Sequence, residues 1–512
     1  MTPLIRLSVT LDDNKYALRY VLDLIERRLP KARMLAKDIE TGEAPYPIAG
    51  HGIMLAHTYR TAIGVFSLYH SGNALCKLDE TGCHLSFRYP EHGEAYLALD
   101  YAVMIEESST NVIGTVLAWL RFPNLASPIA KQIGESVKVV GKDRLIYAFD
   151  VHTAEEVVKS LPNPESWNLV PPSWIFPWGS QDEVMALWNS LIVRCTYHLL
   201  AINFGAHRLQ ITGGGVDDLC LRIRQGELVQ NIHRLSRVPL NRIVRFVHSI
   251  TFGHDTRTPD PALQPLIPCG RDELLVPCMH IISSKSGRNL LSLHARINEQ
   301  SFNSQSAAFE AAMIKDVAAL ASEHFPFTRT QVEFKATGEI DLVIVDDTSA
   351  TILIGELRWM IPPGDVRETI NRTKVCREKV TQTEKKIKIL KKDTVSFLRQ
   401  LRCIAAAERW NVVGFVVTKN FVFRSFNAEI PMLPLEVLRA GFNERLNAQE
   451  LHTWLKSESW LPQENEHFEV VREQFEFGSY TLDHVGIKKP RPLKYLREFL
   501  PTSAKSFLEN LG

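Results

Sequence analysis

Long hydrophobic runs are missing from this 512-residue sequence. No stretch of about 18 uninterrupted apolar residues occurs, and a membrane-spanning helix would need one. The amino terminus, MTPLIRLSVTLDD, lacks the order of basic, apolar and small residues that marks a signal peptide. We therefore expect a cytoplasmic protein without a membrane partner.

Clustered cysteines and a strong net charge are also missing. The 8 cysteines are scattered, without the paired spacing of a zinc site or a disulfide framework. The 59 lysines and arginines balance 58 acidic residues to a formal charge of +1, so affinity for a polyanion must come from local patches. Gly213, Gly214 and Gly215 lack the lysine and the following Ser or Thr of a P-loop, and we predict no nucleotide-hydrolysing motor in this chain.

What is present is the composition of a folded protein, with 45% hydrophobic and 23% charged residues. We predict an α/β multidomain chain whose amino-terminal region is α+β and whose carboxyl-terminal core has the order αβββαβ. The predicted boundaries, in chain order, are an α+β domain over 1–160, a helical and basic region over 161–254, a proline-rich linker over 255–278, the αβββαβ domain over 279–425, and an appended region over 426–512.

The amino-terminal half mixes strand-like runs with a helical segment near residues 15–36. The runs are IRLSVT, CHLSFRYP, EAYLALDYAVMI and DRLIYAFDV. Ser180 and Glu183 form the capping box of a long apolar helix, which we predict to be a core helix. Six arginines follow it, and either they face phosphates or they lie on a solvated helix face; they are Arg222, Arg224, Arg234, Arg237, Arg242 and Arg245.

A more regular pattern begins near residue 300. SQSAAFEAAMIKDVAALASEHF has the period of a helix, and TRTQVEF, GEIDLVIVD and ATILIGELRWMI have the period of strands. Pro362, Pro363 and Gly364 break the chain before a long basic helix that we expect to be interrupted near Asp393. NVVGFVVTK is a further strand, which completes the order αβββαβ.

The hairpin formed by GEIDLVIVD and ATILIGELR has a register that can be counted. If its turn is centred between Thr348 and Ser349, facing residues have numbers that sum to 697, and Asp341 then faces Glu356. Their Cβ atoms would be on the order of 5 Å apart. Two like charges directly opposite destabilise a sheet, and both residues lie in runs of Val, Ile and Leu where an unpaired carboxylate is costly to bury.

A shared divalent cation would remove both penalties. Hard carboxylate oxygens at this separation suit Mg²⁺ or Mn²⁺, which keep several waters and accept a phosphate oxygen as a further ligand. Arg358 lies two residues beyond Glu356 and projects to the same face, where it could stabilise charge on a phosphorus centre. Glu310 lies on the same side of the preceding helix as the apolar positions 313, 314 and 317. It is either a third metal ligand or a glutamate that is favourable near the helix amino terminus.

These residues resemble the PD-(D/E)XK, or restriction-endonuclease-like, nuclease superfamily. The resemblance covers roughly a quarter of the chain and rests on G-E-I-D ending at Asp341, on Glu356-Leu357-Arg358 in the next strand, and on the acid of the leading helix. It implies a restriction-endonuclease-like fold that hydrolyses phosphodiester bonds. It also implies Mg²⁺ held by the two motif carboxylates, with a lysine that positions or activates the water.

The sequence departs from that pattern at Arg358, which occupies the position of the lysine. Arginine stays protonated and cannot serve as a base. Three alternatives stay open: Arg358 acts electrostatically, a lysine such as Lys335 or Lys374 has migrated into the site, or the core binds without cutting. Similar proteins often carry a glutamine on the next helix, where Gln382 is the candidate, either catalytic or merely solvated.

The basic helix suggests how a substrate is held. Between residues 371 and 402 its cations far outnumber its acids, as on a solvated face or on a surface that tracks a phosphate backbone. The candidate nucleic-acid-binding residues are Lys374, Arg377, Lys385, Lys386 and Lys388.

The sequence therefore predicts a Mg²⁺-dependent (or Mn²⁺-dependent) nuclease, with Asp341, Glu356, Arg358 and Gln382 at its centre. We expect nucleic acid as partner, with DNA favoured over RNA. The large non-catalytic region looks like those of prokaryotic restriction or antiphage systems, in which a separate motor or defence protein can take part, and a homo-oligomer is compatible with the pattern. The alternative is a catalytically impaired nucleic-acid-binding or assembly subunit that keeps the nuclease fold.

Overall fold

The computed structural model describes residues 58–488, apart from 60, 71, 73, 108–109, 122–127, 141–143, 162–168, 211–218, 270, 365, 404–408, 420–428 and 444–445. Helices alternate with several β-sheets, which confirms the prediction of an α/β multidomain chain. The residues form two compact units, the first within Met1–Arg60 and Ser108–Phe302 and the second within Thr61–Glu107 and Asn303–Gly512. The limits of these units differ from the predicted domain boundaries. The segment Thr61–Glu107, which lies inside the predicted domain 1–160, belongs to the second unit.

The helices are, in chain order, α1 (Gly93–Glu107), α2 (Thr110–Arg121), α3 (Pro128–Glu135), α4 (Val151–Ser160), α5 (Gln181–Leu209), α6 (Gln225–Ser236), α7 (Leu240–Ser249), α8 (Cys278–Ile282), α9 (Ser286–Ile297), α10 (Glu299–Ser322), α11 (Val366–Lys392), α12 (Thr394–Gln400), α13 (Leu435–Asn443) and α14 (Ala448–Ser457). The strands are β1 (Leu75–Leu78), β2 (His84–Arg88), β3 (Lys138–Val140), β4 (Arg144–Ile146), β5 (Ile175–Phe176), β6 (Gly179–Ser180), β7 (Cys220–Arg224), β8 (Ile267–Cys269), β9 (Glu273–Pro277), β10 (Thr328–Phe334), β11 (Gly338–Asp346), β12 (Thr351–Trp359), β13 (Asn411–Lys419), β14 (Met432–Pro434), β15 (Glu469–Phe477) and β16 (Tyr480–Lys488).

The strand-like runs of the amino-terminal half have mixed outcomes. CHLSFRYP contains β2, and DRLIYAFDV contains only the short β4. EAYLALDYAVMI was wrongly predicted as a strand, because it forms most of α1, where Tyr96, Leu99 and Ala102 are buried at the three-residue spacing of one helix face. A continuously apolar run fits either period, so its sequence could not separate them. IRLSVT and the helical segment near 15–36 lie outside the described residues.

The long apolar helix predicted after the proline-rich break is α5. Its capping box is formed, since the Glu183 amide donates to the Ser180 hydroxyl (3.3 Å) and the Ser180 amide donates to the Glu183 carboxylate (2.9 Å). Most side chains from Leu187 to Gly205 are buried, so α5 is the core helix of the first unit. Three of the six arginines that follow it are neutralised by acids: Arg222 by Glu273, Arg237 by Glu155 and Arg242 by Glu183.

The segment predicted as a linker, 255–278, is a folded part of the first unit. It contributes β8 and β9 to a three-stranded sheet with the order β7-β9-β8. Ala262, Leu263 and Leu266 in this segment are buried. The prolines are compatible with this fold because Pro268 lies in the edge strand β8, where a missing N–H costs little. Proline content alone therefore misidentified a structured segment as a linker.

A five-stranded sheet forms the centre of the second unit, in the order β10-β11-β12-β13-β14. β10, β11 and β12 are antiparallel neighbours, whereas β13 runs parallel to β12 and β14 parallel to β13. The helix α11 connects β12 to β13 and buries Cys376, Val380, Ile387 and Leu390 against the sheet. The predicted strands and the helix interruption near Asp393 are confirmed, because α11 ends at Lys392 and α12 begins at Thr394.

A second sheet of this unit joins segments that are distant in sequence. Its order is β1-β2-β16-β15, and β16 runs parallel to β2. His84 on β2 contacts Asp483 on β16 with 2.8 Å between Nε2 and Oδ2. The region predicted as appended, 426–512, therefore supplies β14 to the central sheet and β15 and β16 to this one. In the part of the chain that the structure describes, no helix has both the length and the apolarity to span a membrane.

Candidate active site

The hairpin β11–β12 has the register that the sequence predicts. The paired residues run from Leu342 opposite Gly355 to Asp346 opposite Thr351, and each pair obeys the expected sum. Asp341 and Glu356 lie one step beyond the Leu342–Gly355 pair, at the end of the ladder that is far from the turn. The counted register therefore places the two carboxylates next to each other, just outside the regular pairing.

The sheet is distorted around Asp341. On the other side of β11, pairing passes from Thr330–Leu342 to Val332–Ile340, and the intervening Gln331 has a left-handed backbone with φ of 48°. Such a conformation costs a side chain other than glycine about 1 kcal/mol or more, and strain of this kind clusters at functional sites. The Asp341 Oδ2 atom accepts the amide hydrogen of Leu357 at 2.7 Å, which fixes the carboxylate against β12.

Glu356 is almost completely buried, with 1% of its surface exposed, and both of its carboxylate oxygens meet lysines. Lys379 Nζ lies 3.2 Å from Oε2 and 3.9 Å from Oδ2 of Asp341. Lys386 Nζ lies 2.5 Å from Oε1 of Glu356 and also donates to the Glu339 carbonyl oxygen. The two lysines are seven residues apart on α11, which is about two helical turns, so they project from one face towards the hairpin.

These four side chains form a quartet of two carboxylates and two ammonium groups whose formal charges balance. A buried carboxylate needs such compensation, because removal of one partner from a buried ion pair costs about 3–5 kcal/mol. The quartet explains how β12 tolerates an ionised side chain among buried Val, Ile and Leu. It also shows that the hairpin carboxylates and Lys379 converge on one point.

Arg358 and Glu310 form a separate pair beside the quartet. Arg358 Nη1 lies 3.1 and 3.0 Å from the two oxygens of Glu310, and the Trp359 amide donates to the same carboxylate at 3.3 Å. The rings of Phe309 and Trp359 stack with centroids 4.7 Å apart, which fixes this part of α10 against the end of β12. Glu310 is the partner of Arg358, and it is not a helix-end glutamate, because α10 already begins at Glu299. Its role as a metal ligand stays a prediction.

All but one of the remaining predicted residues of α11 are solvent-exposed, namely Gln382, Lys374, Arg377, Lys385 and Lys388. The exception is Lys386, which contacts Glu356. Neither Lys335 nor Lys374, the lysines proposed to have migrated, contacts the carboxylates among the interactions that the structure describes, and Lys379 and Lys386 do so instead. The sequence does contain a pattern that could have identified Lys379 and Lys386. Each directly precedes a buried apolar residue of α11, Val380 or Ile387, and the two lysines are seven residues apart.

The donors at this site suit a small, hard cation. The ammonium group of Lys379 is within 4 Å of both carboxylates, so a positive charge is already accommodated between Asp341 and Glu356. Mg²⁺ is commonly bound through one or two carboxylates and completes its octahedron with waters or phosphate oxygens. Cys376 lies on the buried face of α11, and burial raises the pKa of its thiol to about 12, which keeps it neutral and unsuited to hold a soft metal.

A larger metal cluster is not formed. Within the described ranges, no group of three or more His, Cys, Asp or Glu side chains is arranged to hold a metal ion. Asp341 and Glu356 are the two acids whose carboxylates lie within 4 Å of the Lys379 ammonium group among the described ion pairs. No protein-family model, curated protein or solved structure matches this chain.

Proposed function

We propose that this chain is a metal-dependent nuclease that hydrolyses phosphodiester bonds of nucleic acid, with DNA as the favoured substrate. The observation that carries the proposal is the convergence of Asp341, Glu356 and Lys379 at the distorted end of the β11–β12 hairpin. Two carboxylates and a lysine are the groups that the PD-(D/E)XK resemblance calls for. The order α10-β10-β11-β12-α11-β13 agrees with the αβββαβ order of that superfamily.

Each residue has a distinct role in this proposal. Asp341 and Glu356 would hold Mg²⁺ or Mn²⁺, which when bound lowers the pKa of a water and neutralises charge on phosphate. Lys379 is placed to orient the water or a phosphate oxygen, as the lysine of the superfamily pattern does. Arg358, held by Glu310 and with 43% of its side chain exposed, can donate to a phosphate from the edge of the site.

The exposed cations of α11 supply the affinity for a polyanion. Lys374, Arg377, Lys385 and Lys388 are exposed, and phosphate contacts from such residues give sequence-independent binding that weakens with salt. Resemblance alone favours DNA over RNA and suggests a restriction or antiphage setting with a motor or defence protein as partner.

Plasmid cleavage with Mg²⁺ or Mn²⁺ tests the proposal. Asp341→Ala and Glu356→Ala are expected to reduce the cleavage rate by about 10²-fold or more, since each removes a metal ligand. Asp347→Ala is the matched control, because Asp347 is an exposed acid in the turn of the same hairpin. Cleavage by the two site variants at the rate of the Asp347 variant would refute the assignment of the site.

One observation favours the second candidate, a nucleic-acid-binding or assembly subunit without turnover. Both oxygens of Glu356 are already paired with lysines, and arginine occupies the usual lysine position, so the quartet could serve stability alone. Salt-dependent DNA binding that is unchanged in Asp341→Ala, with no cleavage by the wild-type protein even with its partner present, would support this candidate instead.

A further inference from the structure

Each carboxylate oxygen of Glu356 is ion-paired with a lysine in this structure. Oε2 is paired with Lys379 and Oε1 with Lys386. A divalent cation needs at least one of these oxygens to bind Glu356 directly. Metal binding at this site, which is itself part of the proposed function, therefore brings a doubly charged cation next to an ammonium group, and their repulsion favours displacement of one lysine.

The geometry distinguishes the two lysines. Lys379 Nζ lies between both carboxylates, 3.2 Å from Glu356 and 3.9 Å from Asp341. From there it can donate a hydrogen bond to a phosphate oxygen or a water. Among the ion pairs of the described residues, Lys386 contacts no acidic side chain other than Glu356, and its second hydrogen bond goes to the Glu339 carbonyl oxygen at the start of β11. Lys386 can thus release Glu356 while it stays bonded to Glu339.

We propose that Lys386 is an internal competitor of the metal: it occupies Glu356 in the metal-free protein and withdraws when a divalent cation binds. With Lys386 in place, the metal would add two positive charges to a quartet that is already neutral. Once Lys386 has withdrawn, the remaining side chains and the metal carry a formal charge of +1. That charge matches the single negative charge of a phosphodiester.

The same arrangement explains why a lysine is present at this position. Glu356 is 1% exposed, and a buried carboxylate without a partner would destabilise the hairpin whenever metal is absent. Lys386 supplies the compensating charge, so the site is folded before metal arrives. The consequence is a weakened affinity for metal, because each binding event must break the Lys386–Glu356 ion pair.

Manganese binding to the full chain in the absence of nucleic acid tests this directly. Free Mn²⁺ can be followed by its electron paramagnetic resonance signal during titration. Lys386→Met is expected to bind Mn²⁺ at least about tenfold more tightly than wild type, because a positive charge within several ångströms of the metal is removed. Lys386→Arg keeps the charge and is expected to bind like wild type. Lys392→Met is the control that removes a charge from an exposed position of the same helix.

A second measurement uses the unaltered protein and does not depend on the folding of any variant. Acylation of lysines with a soluble amine reagent, followed by peptide mass spectrometry, reports which ammonium groups are available. Lys386 has 13% of its side chain exposed and is ion-paired, so its acylation is expected to be slow without metal and several-fold faster with saturating Mn²⁺. The acylation of exposed Lys392 is expected to be independent of Mn²⁺.

The outcomes separate this inference from the proposed function. If wild type binds Mn²⁺ in a manner that Asp341→Ala abolishes, but Lys386→Met binds no more tightly and Lys386 acylation does not respond, the competitor role is wrong and the metal site stands. If neither wild type nor Lys386→Met binds Mn²⁺, the metal site and the competitor role both fail.

Discussion

Lys379 is the residue on which the proposed chemistry most depends. Arginine at position 358 cannot give up a proton, and it is held by Glu310 at the edge of the site. Lys379 instead lies on the side of α11 that meets Glu356 and Asp341. In the proposed function, Lys379 on the helix after β12 would take the part of the lysine that the superfamily pattern has on the strand itself.

Substitutions of Lys379 and of Arg358 should therefore lower the cleavage rate by different amounts. We expect Lys379→Met to lower the single-turnover cleavage rate by about 10²-fold, and Arg358→Met by about tenfold, because only the first removes a group beside both carboxylates. Arg358→Lys is expected to retain activity or gain it. A larger loss from Arg358→Met than from Lys379→Met would assign the central role to the arginine.

His452 on α14 should make the stability of the second unit depend on pH. Burial, with a smaller effect of Lys456, lowers the pKa of its imidazole from 6.5 to about 4. The unfolded chain takes up a proton near 6.5 but the folded one only near 4, so stability is complete above 6.5 and falls as the pH drops towards 4. The loss is on the order of 3 kcal/mol.

Urea unfolding at pH 7 and pH 4.5 measures this dependence. The His452→Gln variant should show a smaller fall in the free energy of unfolding between these pH values than wild type. Equal falls in both proteins would assign the pH dependence to other groups, of which buried His294 in the first unit, with a pKa lowered by burial to about 4, is the first to examine.

At the scale of elements, Asp346 connects the hairpin to α14. One carboxylate oxygen accepts from the Ala448 amide (2.9 Å) at the first turn of α14, and the other accepts from the Thr348 amide (3.0 Å) in the hairpin turn. Burial alone would raise the pKa of Asp346, but hydrogen bonds from Ser349, Thr348 and Ala448 outweigh it and hold the pKa below its usual value. The ionised carboxylate therefore stabilises both elements.

Replacement of Asp346 should lower stability without touching the site. We expect Asp346→Ala to reduce the free energy of unfolding by about 1–3 kcal/mol, because buried amide donors are left unsatisfied. The contribution of Asp346 is present above its unfolded pKa of about 3.9 and disappears as the pH falls through the lower folded value. Chemical unfolding of Asp346→Ala beside Asp347→Ala, whose carboxylate is exposed, measures the difference.

The helix α11 carries cations of two kinds, and their removal should have different consequences. Simultaneous replacement of Lys374, Lys385 and Lys388 by glutamine is expected to weaken DNA binding and to reduce the slope of log affinity against log salt by up to about 0.9 per lysine. Cleavage at saturating DNA should change little, since these side chains lie outside the quartet.

Affinity measured between about 50 and 200 mM salt gives this slope. A matched control replaces three exposed lysines elsewhere, Lys77, Lys131 and Lys138. If both triple variants lose affinity equally, the effect is one of total charge and α11 has no special part in binding.

At the scale of the whole molecule, the central sheet depends on residues beyond the predicted domain. β14 pairs with β13, and α14 packs on β11, β12 and β13. Leu451 and Leu455 of α14 are buried. β14 and α14, which follow residue 425, are therefore part of the core of the second unit and not an addition to it.

A fragment of residues 279–425 should consequently fail to fold cooperatively. It lacks β14, α13 and α14, and so exposes apolar surface of the sheet to water. We expect a broad thermal transition by circular dichroism or aggregation, compared with a sharp transition of the full chain. A sharp, reversible transition of the fragment would show that the predicted domain is self-sufficient.

The elements of the central sheet were accessible from the sequence. Strand periodicity gave β10, β11 and β13 with their observed bounds, and the position of one polar turn gave the register that brings Asp341 to the side of Glu356. These are local properties, because a strand alternates with period two and a hairpin fixes its pairing through its turn. The third strand, β12, ends at Trp359 instead of continuing to Ile361.

Contacts between distant segments were not accessible in the same way. Which lysines of α11 reach Glu356 depends on the rotation of that helix on the sheet, and the pairing of Arg358 with Glu310 depends on where α10 packs. The folding of 255–278 and the pairing of β2 with β16 are likewise decided by partners far away in the chain. The sequence by itself thus determined the hairpin and its two carboxylates, whereas the tertiary structure decided which cations share them, because helix rotation and packing are set by the whole core.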